Sequence, residues 1–329
     1  MKSLREVLAD ADARHVAVGH FNISELATLK GIFEAAMELS KSASAAAGVM
    51  QSGAMIAQIP ILIGVSEGER EFIGVRQAVA LVRGLREQYD YPIFLNADHT
   101  HSLDKVREAA EAGFDEILFD GSALPSLDEN IKQTLEAVKI VRAVNASIVV
   151  EGEIGFIGSN SEIVDKRPEA SLTLSTPEEA VRFMNETGVD ILAPAVGNMH
   201  GLLASMVSGA EHKRLNLERI AEIKKAIVVA LAASASSPGG GSPSGSGSWM
   251  TLHGGSGTDD GDFAAAIKNG MNIVHVSSEL RLAWRRGVEE GLKNQNEIAP
   301  YKLMAPSVEG IKKVVTDRLK LFNGLKVAI

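Results

Sequence analysis

The sequence predicts an α/β fold, a (β/α)8 TIM barrel with a C-terminal helical extension. Three observations lead there. Short apolar runs alternate with longer helix-like segments along the whole chain. Eight such runs can be counted, the number a closed parallel barrel needs. Residues able to do chemistry gather where the runs end, the rim on which parallel α/β proteins keep their sites. A doubly wound sheet is the alternative with the same rhythm.

The elements follow in order. His15 to Asn22 reads as the first strand, and Ser24 as the cap of a helix to Leu39, with Glu25 in its first turn. Ile59 to Val65 is the second strand, with a helix over Phe72 to Glu87. Ile93 to Ala97 is the third, a fully apolar run as expected of a strand buried on both faces, and Leu103 to Ala112 is its helix. Glu116 to Phe119 precedes a helix over Leu127 to Val144. Ser147 to Glu153 precedes one from Thr176 to Gly188, where Thr176-Pro177-Glu178-Glu179 is a helix start. Asp190 to Val196 is the sixth strand, followed by a helix from Leu217 to Ala226. Trp249 to Leu252 and Asn272 to Val276 are the last two, with helices over Asp260 to Asn269 and Glu279 to Leu292. A final amphipathic helix spans Val308 to Leu321. Residues 1–329 read as one domain, interrupted by Ala/Gly/Ser-rich stretches at 41–58 and 231–248, the second linker-like and long for a βα connection.

Composition narrows the function classes. With 329 residues and 45% hydrophobic content a sizeable core is possible. The net charge of −9 and the lack of a basic patch argue against nucleic acid as a partner. There are no cysteines, so neither disulfides nor a thiolate metal site, which suits a reducing cytoplasm. The segment Met1 to Glu6 is charged and amphipathic, unlike a signal peptide, and no apolar run has the length of a membrane helix.

The chemistry centres on Asn96-Ala97-Asp98-His99-Thr100-His101, which puts a carboxylate beside an imidazole where a strand ends. Taken alone, these could be a helix-capping aspartate and a surface histidine. The other strand ends change that reading. They carry Asp120-Gly121-Ser122, Glu151-Gly152-Glu153, Gly197-Asn198-Met199-His200-Gly201, His253-Gly254-Gly255-Ser256-Gly257 and His275-Val276-Ser277-Ser278. His99, His200 and His253 on one rim, with Asp120 and Glu153 between them, suit a borderline divalent ion such as zinc, which takes imidazole and carboxylate and keeps a position open for catalysis. Gly254-Gly255-Ser256-Gly257 has the make-up of an anion cradle, since glycines let backbone N–H groups approach closely and a serine adds a donor. After the seventh strand it stands where barrels bind phosphate.

The set Asp98-His99, Glu151-x-Glu153-x-Gly155, Gly197-x-x-His200-Gly201 and His253-Gly254-Gly255-Ser256-Gly257 closely resembles the class II, metal-dependent ketose-bisphosphate aldolases, which include fructose-bisphosphate and tagatose-bisphosphate aldolases. The resemblance runs from Val18-Gly19-x-Phe21-Asn22 to the C-terminal helix, the two Ala/Gly/Ser-rich stretches excepted. It implies zinc on His99, His200 and His253, with Glu153 and Asp120 holding a second or displaced cation. It implies Asp98 as the proton donor in a reversible retro-aldol cleavage, in which the metal acts as a Lewis acid on the developing enediolate. Gly201, Gly254, Gly255 and Ser256, with His275, Val276, Ser277 and Ser278, look like the dihydroxyacetone-phosphate site. Ser66 is similar to a serine that contacts the aldehyde portion. Glu162, one residue out of register, is the match for a glutamate that exchanges the carbanion proton.

This chain departs from the family in several places. Ser277-Ser278 stand where Asn or Asp with Thr is frequent, and His275 stands in place of Asn, a replacement common in the subgroup that this chain most resembles, where it either bonds substrate or caps the strand. His20 and His101 read as structural or supporting groups, and Arg281, Arg285 and Arg286 as a solvated or interface face. The expected activity is cleavage of fructose 1,6-bisphosphate to dihydroxyacetone phosphate and glyceraldehyde 3-phosphate by a cytoplasmic homodimer or homotetramer. The alternatives are tagatose bisphosphate or another ketose phosphate, a non-catalytic aldolase-like subunit, and a metal-dependent hydrolase barrel, which the glycine loop fits less well.

Overall fold

A computed structural model describes residues 2–46, 58–158, 163–166, 173–235 and 248–325. Eight strands close into a barrel: β1 Val18–Asn22, β2 Ile61–Val65, β3 Ile93–Thr100, β4 Glu116–Phe119, β5 Val149–Ile154, β6 Ile191–Pro194, β7 Trp249–Leu252 and β8 Ile273–Val276. Every neighbouring pair is parallel, and β8 closes the ring against β1, with His20 opposite His275. The barrel is thus the architecture, and the open doubly wound sheet is excluded.

Strand residues alternate between two environments, as a period of two requires. Phe21, Ile61, Ile63, Leu95, Ala97, Ile117, Val150, Leu192, Met250, Val274 and Val276 face outward and pack with the helices in the main core. The inward set changes character along the axis. At the N-terminal end of the strands Val18, Leu62, Phe94, Val149, Ile191, Trp249 and Ile273 form an apolar floor. Two residues further on the interior turns polar, with His20, Asn96, Glu151, Thr251 and His275 all buried. The helix Leu4–Arg14, absent from the sequence reading, closes the floor with Leu4, Val7, Leu8 and Ala11, and Ser3 and Glu6 form its capping box.

Several boundaries differ from expectation, each for a local reason. The first strand begins at Val18 because His15, at φ +52°, is the left-handed end of the N-terminal helix. The carboxylate of Glu25 accepts from the N–H groups of Ala27 and Thr28, a role expected of Ser24. Gly74, at φ +97°, divides the expected Phe72–Glu87 helix into Glu67–Ile73 and Val75–Tyr89. β3 continues to Thr100, so Asp98 and His99 lie within the strand rather than after it. The helix after β6 extends over Leu217–Ala235, and the C-terminal helix over Ala305–Phe322, where Ile311, Val315, Leu319 and Phe322 join the core. Among the described residues no helix is long and apolar enough to cross a membrane.

Candidate active site

In a regular strand Asp98 and His99 would face opposite sides of the barrel wall. Both line the same cleft because the strand is bulged: His99 has φ +43°, and the register against β4 shifts between Ala97 and Thr100. A β-bulge re-aims a side chain in this way, and a non-glycine residue at positive φ marks a backbone held there by its surroundings. Arg70 supplies the hold. It is buried, and its guanidinium donates to the carbonyls of Val65 (3.0 Å) and Asp98 (3.1 Å) and to the Thr100 hydroxyl (2.9 Å).

The rim of the barrel gathers histidines around this bulge. One ring nitrogen from each of His99, His200 and His253 lies within 4.8 Å of the others, and His99, Asp120 and Glu153 form a second such group. His99 Nδ1 is 2.8 Å from Asp120 Oδ2, and His253 Nε2 is 2.7 Å from Glu151 Oε1. The remaining nitrogens, His99 Nε2 and His253 Nδ1, are buried without a hydrogen-bond partner, as is His200 Nε2. Buried polar atoms are normally paired. Three unpaired imidazole nitrogens in one cluster, two of them on rings oriented by carboxylates, could together hold a divalent metal ion. The chemistry of these residues fits zinc.

Charge in the cluster is tightly balanced. Burial alone would lower the His99 imidazole, but the carboxylates of Asp98, Asp120 and Glu153 push it up to about 10. Burial would raise Asp120 and Asp98, yet the hydrogen bond from His99 holds the first well below the usual carboxylate range, and the charge of His99 does the same for the second. Glu153 is raised to about 8, by burial and then by the nearby Asp120. Burial and the surrounding imidazoles keep His200 and His275 far below the ordinary value, and so neutral. Beneath the cluster, burial and the charge of Glu151 hold Glu116 protonated.

Asp98 lines the cleft beside these histidines. Asn22 donates to its Oδ2 at 2.8 Å, while Oδ1 is buried and unpaired, 3.8 Å from His99 Nε2 and 3.6 Å from His275 Nδ1. Asn22 in turn reaches Glu69 (3.0 Å), whose other oxygen accepts from Arg281 at 2.7 Å. Arg281 therefore lines the cleft, whereas its neighbour Arg285 pairs with Glu289 on the surface, on the face expected to be solvated or an interface. His275 stacks on His20 with ring centroids 3.4 Å apart and planes within 1°. A Cβ at position 64 would come within 2.1 Å of the His20 ring, so the glycine there makes room for the stack.

The cleft has a volume of about 450 Å³, and Ser66, Gly201, Gly254, Ser256, His275, Ser277 and Ser278 line it together with Asp98, His99, Asp120 and His200. Two of the expected ligand-binding positions are occupied otherwise. Gly255 donates its N–H to the His275 carbonyl (3.0 Å), and the Val276 side chain lies in the outer core. The Ser256 hydroxyl accepts from the N–H groups of Ser277 and Glu279, both at 3.2 Å, which ties the glycine turn to the start of the next helix. Ser66 caps the helix Glu67–Ile73 through Glu69. Glu162 lies outside the described residues, as do most of 41–58 and 231–248.

Sequence reading missed three members of the site. Lys213, fully buried, lines the cleft and donates to three backbone carbonyls; Arg70 and Glu69 fasten the bulge and Asn22. Their sequence settings, Glu67 to Glu71 and Glu211 to Arg214, are charge-rich and look like solvated surface.

Comparison with known proteins agrees with this geometry. The model of the family "fructose-bisphosphate aldolase class-II" matches residues 2–325. Fructose-bisphosphate aldolases from Staphylococcus aureus (strain Mu50 / ATCC 700699) and Geobacillus stearothermophilus are each 28% identical over 325 residues, 98% of this chain and 96% of theirs. Among solved structures, the YdjI aldolase from Escherichia coli K12 shares the fold with a TM-score of 0.72 at 24% identity, covering 97% of this chain and 96% of that one. A histidine cluster on the rim of a closed parallel barrel, and a family match that spans nearly the whole length, lead to one assignment: the chain belongs to the class II fructose-bisphosphate aldolase family.

Proposed function

We propose that the protein is a zinc-dependent aldolase that reversibly cleaves a ketose 1,6-bisphosphate, with fructose 1,6-bisphosphate as the substrate and dihydroxyacetone phosphate and glyceraldehyde 3-phosphate as products. The observation that carries this reading is the trio of unpaired ring nitrogens on His99, His200 and His253, beside a carboxylate with one free oxygen and next to a glycine–serine turn. His99, His200 and His253 would hold the metal, with Asp120 and Glu153 available to a second or displaced cation. When bound, zinc supplies a Lewis acid for the negative charge that forms as the carbon–carbon bond breaks.

The chain's own groups do the rest. Asp98 Oδ1 accepts the C4 hydroxyl proton during cleavage, as the C3–C4 electron pair stays with the three-carbon fragment and C4 becomes an aldehyde. In condensation the same oxygen returns the proton. Asn22, bonded to Oδ2, keeps the carboxylate turned so that Oδ1 faces the substrate. The triose phosphate group rests against Gly201, Gly254, Ser256, Ser277 and Ser278, with His275 beside it and Gly255 and Val276 setting the backbone of that wall. Ser66 contacts the aldehyde fragment, and Glu162 exchanges the proton on C3 of the triose product. Residues 1–329 form one domain, and the enzyme works in the cytoplasm as a homodimer or homotetramer.

The test is cleavage of fructose 1,6-bisphosphate and, in parallel, tagatose 1,6-bisphosphate, before and after exhaustive chelation and with zinc restored. Cleavage lost on chelation and recovered with zinc is expected, the faster sugar identifying the substrate. Cleavage that survives complete metal removal would refute the mechanism. Zinc bound without cleavage of either sugar would favour the non-catalytic subunit.

A further inference from the structure

A lysine buried to 0% exposure needs a reason, because an ammonium group is costly to take out of water. Lys213 has an unusual set of partners. Its Nζ donates to the carbonyls of Met199 at 2.7 Å, Gly201 at 2.8 Å and Gly254 at 3.0 Å. The first two flank His200 on the turn after β6, and the third follows His253 on the turn after β7. These turns touch: Gly254 has φ +59°, and a Cβ there would lie 2.3 Å from the Met199 carbonyl oxygen. The main chain of Lys213 is fastened to the same turn, its N–H donating to Gly257 O (2.7 Å) and its carbonyl accepting from Asp259 N–H (3.1 Å).

Three carbonyl dipoles aimed at one buried point repel one another unless a cation sits there. Oxygen-only cages of this kind are what hard cations bind. We propose that Lys213 is a built-in monovalent cation: its ammonium fills a three-carbonyl cage that a free alkali or ammonium ion would otherwise have to fill, and so locks the β6 and β7 turns together. Lys213 is thereby a positioning residue for the glycine turn, and it sets a positive charge against Gly201 and Gly254, which line the cleft with it. Its effect on catalysis rests on the ketose-bisphosphate reading above; its effect on stability does not.

The experiment compares the wild type with Lys213→Ala, which opens space for an ion, and Lys213→Met, which keeps the stem and leaves no such space. Thermal unfolding and fructose 1,6-bisphosphate cleavage by the zinc-loaded proteins are followed in choline, sodium, potassium and ammonium chloride at one ionic strength. The wild type should respond alike to all four salts. Lys213→Ala should lose about tenfold or more in kcat/KM in choline, the scale of a lost charge-assisted hydrogen bond in a buried site. Potassium or ammonium should restore most of that loss in a saturable way and raise Tm in parallel, while Lys213→Met stays impaired in every salt. A Lys213→Ala protein that folds in potassium and not in choline also supports the proposal. The proposal is overturned by a wild type that itself needs an added alkali ion, or by a Lys213→Ala protein equally active and stable in choline and potassium. It is equally overturned by one that folds in no salt, since a free ion then does not replace the ammonium. If the wild type cleaves no ketose bisphosphate, the enzymatic reading fails, and the unfolding series still decides the cage.

Discussion

His99 and Asp120 are joined at 2.8 Å between Nδ1 and Oδ2, which leaves Nε2 of His99 buried and unpaired in the cluster with His200 and His253. The carboxylate fixes the ring's orientation and keeps a proton on Nδ1, so that once the second proton leaves, Nε2 is the nitrogen that offers a lone pair. Replacing Asp120 with Asn keeps the shape and removes the charge. The expected result is a fall in metal affinity of about 10–100-fold, measured by competition with a coloured chelator. Glu151→Gln, acting on His253, should fall in the same range. Unchanged affinity in both variants would show that the imidazoles are oriented by packing alone.

Metal uptake should expel protons. In the metal-free protein the surrounding carboxylates hold His99 protonated up to about pH 10, and burial keeps Glu153 neutral up to about pH 8. A cation must displace those protons, so apparent affinity should rise with pH, by about tenfold per unit for each proton released. Calorimetry at pH 7 in buffers of different ionisation enthalpy reads the number directly, and a value of zero would contradict the assignment. The stability of the metal-free protein should move the opposite way. Both groups have a folded pKa above the ordinary value, so both favour the folded state when protonated. The His99 contribution is complete below about pH 6.5 and is lost as pH rises through about 10, and that of Glu153 declines above about pH 4.5 and is gone past about 8. Tm of the chelated protein should therefore fall between pH 6.5 and 10, and restoring zinc should flatten the trend.

Much of this site was legible because of the strand period. Apolar runs ending in Asp98, Glu153, His253 and His275 announce strands whose inward faces turn polar at one end, and a closed parallel barrel brings such ends together. What escaped has two physical causes. The bulge at His99 depends on a backbone at φ +43° in a residue that does not advertise it, so β3 was expected to stop at Ala97. Lys213, Arg70 and Glu69 act through partners on other elements, Arg281 being 212 positions from Glu69, and their own neighbours are charged residues typical of a solvated face. The helix Leu4–Arg14 was hidden for a related reason. Its four buried residues sit among acidic and basic ones, and it is the open barrel floor that gives them somewhere to go.

Asp98→Asn should separate binding from chemistry. The amide keeps the bulk of the side chain but cannot accept the C4 hydroxyl proton as a base. Loss of a general base typically costs about 10²–10⁴ in rate, so kcat should fall by that factor while zinc content stays at the wild-type level. Asn22→Ala frees Oδ2 and lets the carboxylate rotate, and a smaller drop is expected, on the order of tenfold from one lost charge-assisted hydrogen bond. Steady-state kinetics with metal analysis of the same samples checks both. An Asp98→Asn protein with undiminished kcat would move the proton transfer to another group.

Arg70 offers the sharpest test of why Asp98 and His99 face the same way. Its guanidinium binds the carbonyl oxygens of Val65 and Asp98 and the Thr100 hydroxyl, on both sides of the bulged residue, from a position 2% exposed. Arg70→Met fills the space with an apolar chain and leaves those acceptors buried without a donor, at a cost of about 1–3 kcal/mol for each group that water cannot reach. Urea unfolding of the metal-free protein should therefore shift to a lower midpoint. A second effect is expected if the guanidinium holds the backbone as well as stabilising it. As the kink at His99 relaxes toward a regular strand, His99 turns away from His200 and His253, and metal affinity falls beyond what the loss of stability explains. A variant that unfolds earlier yet binds zinc like the wild type would make Arg70 a source of stability alone and assign the bulge to the contacts of His99 with Asp120.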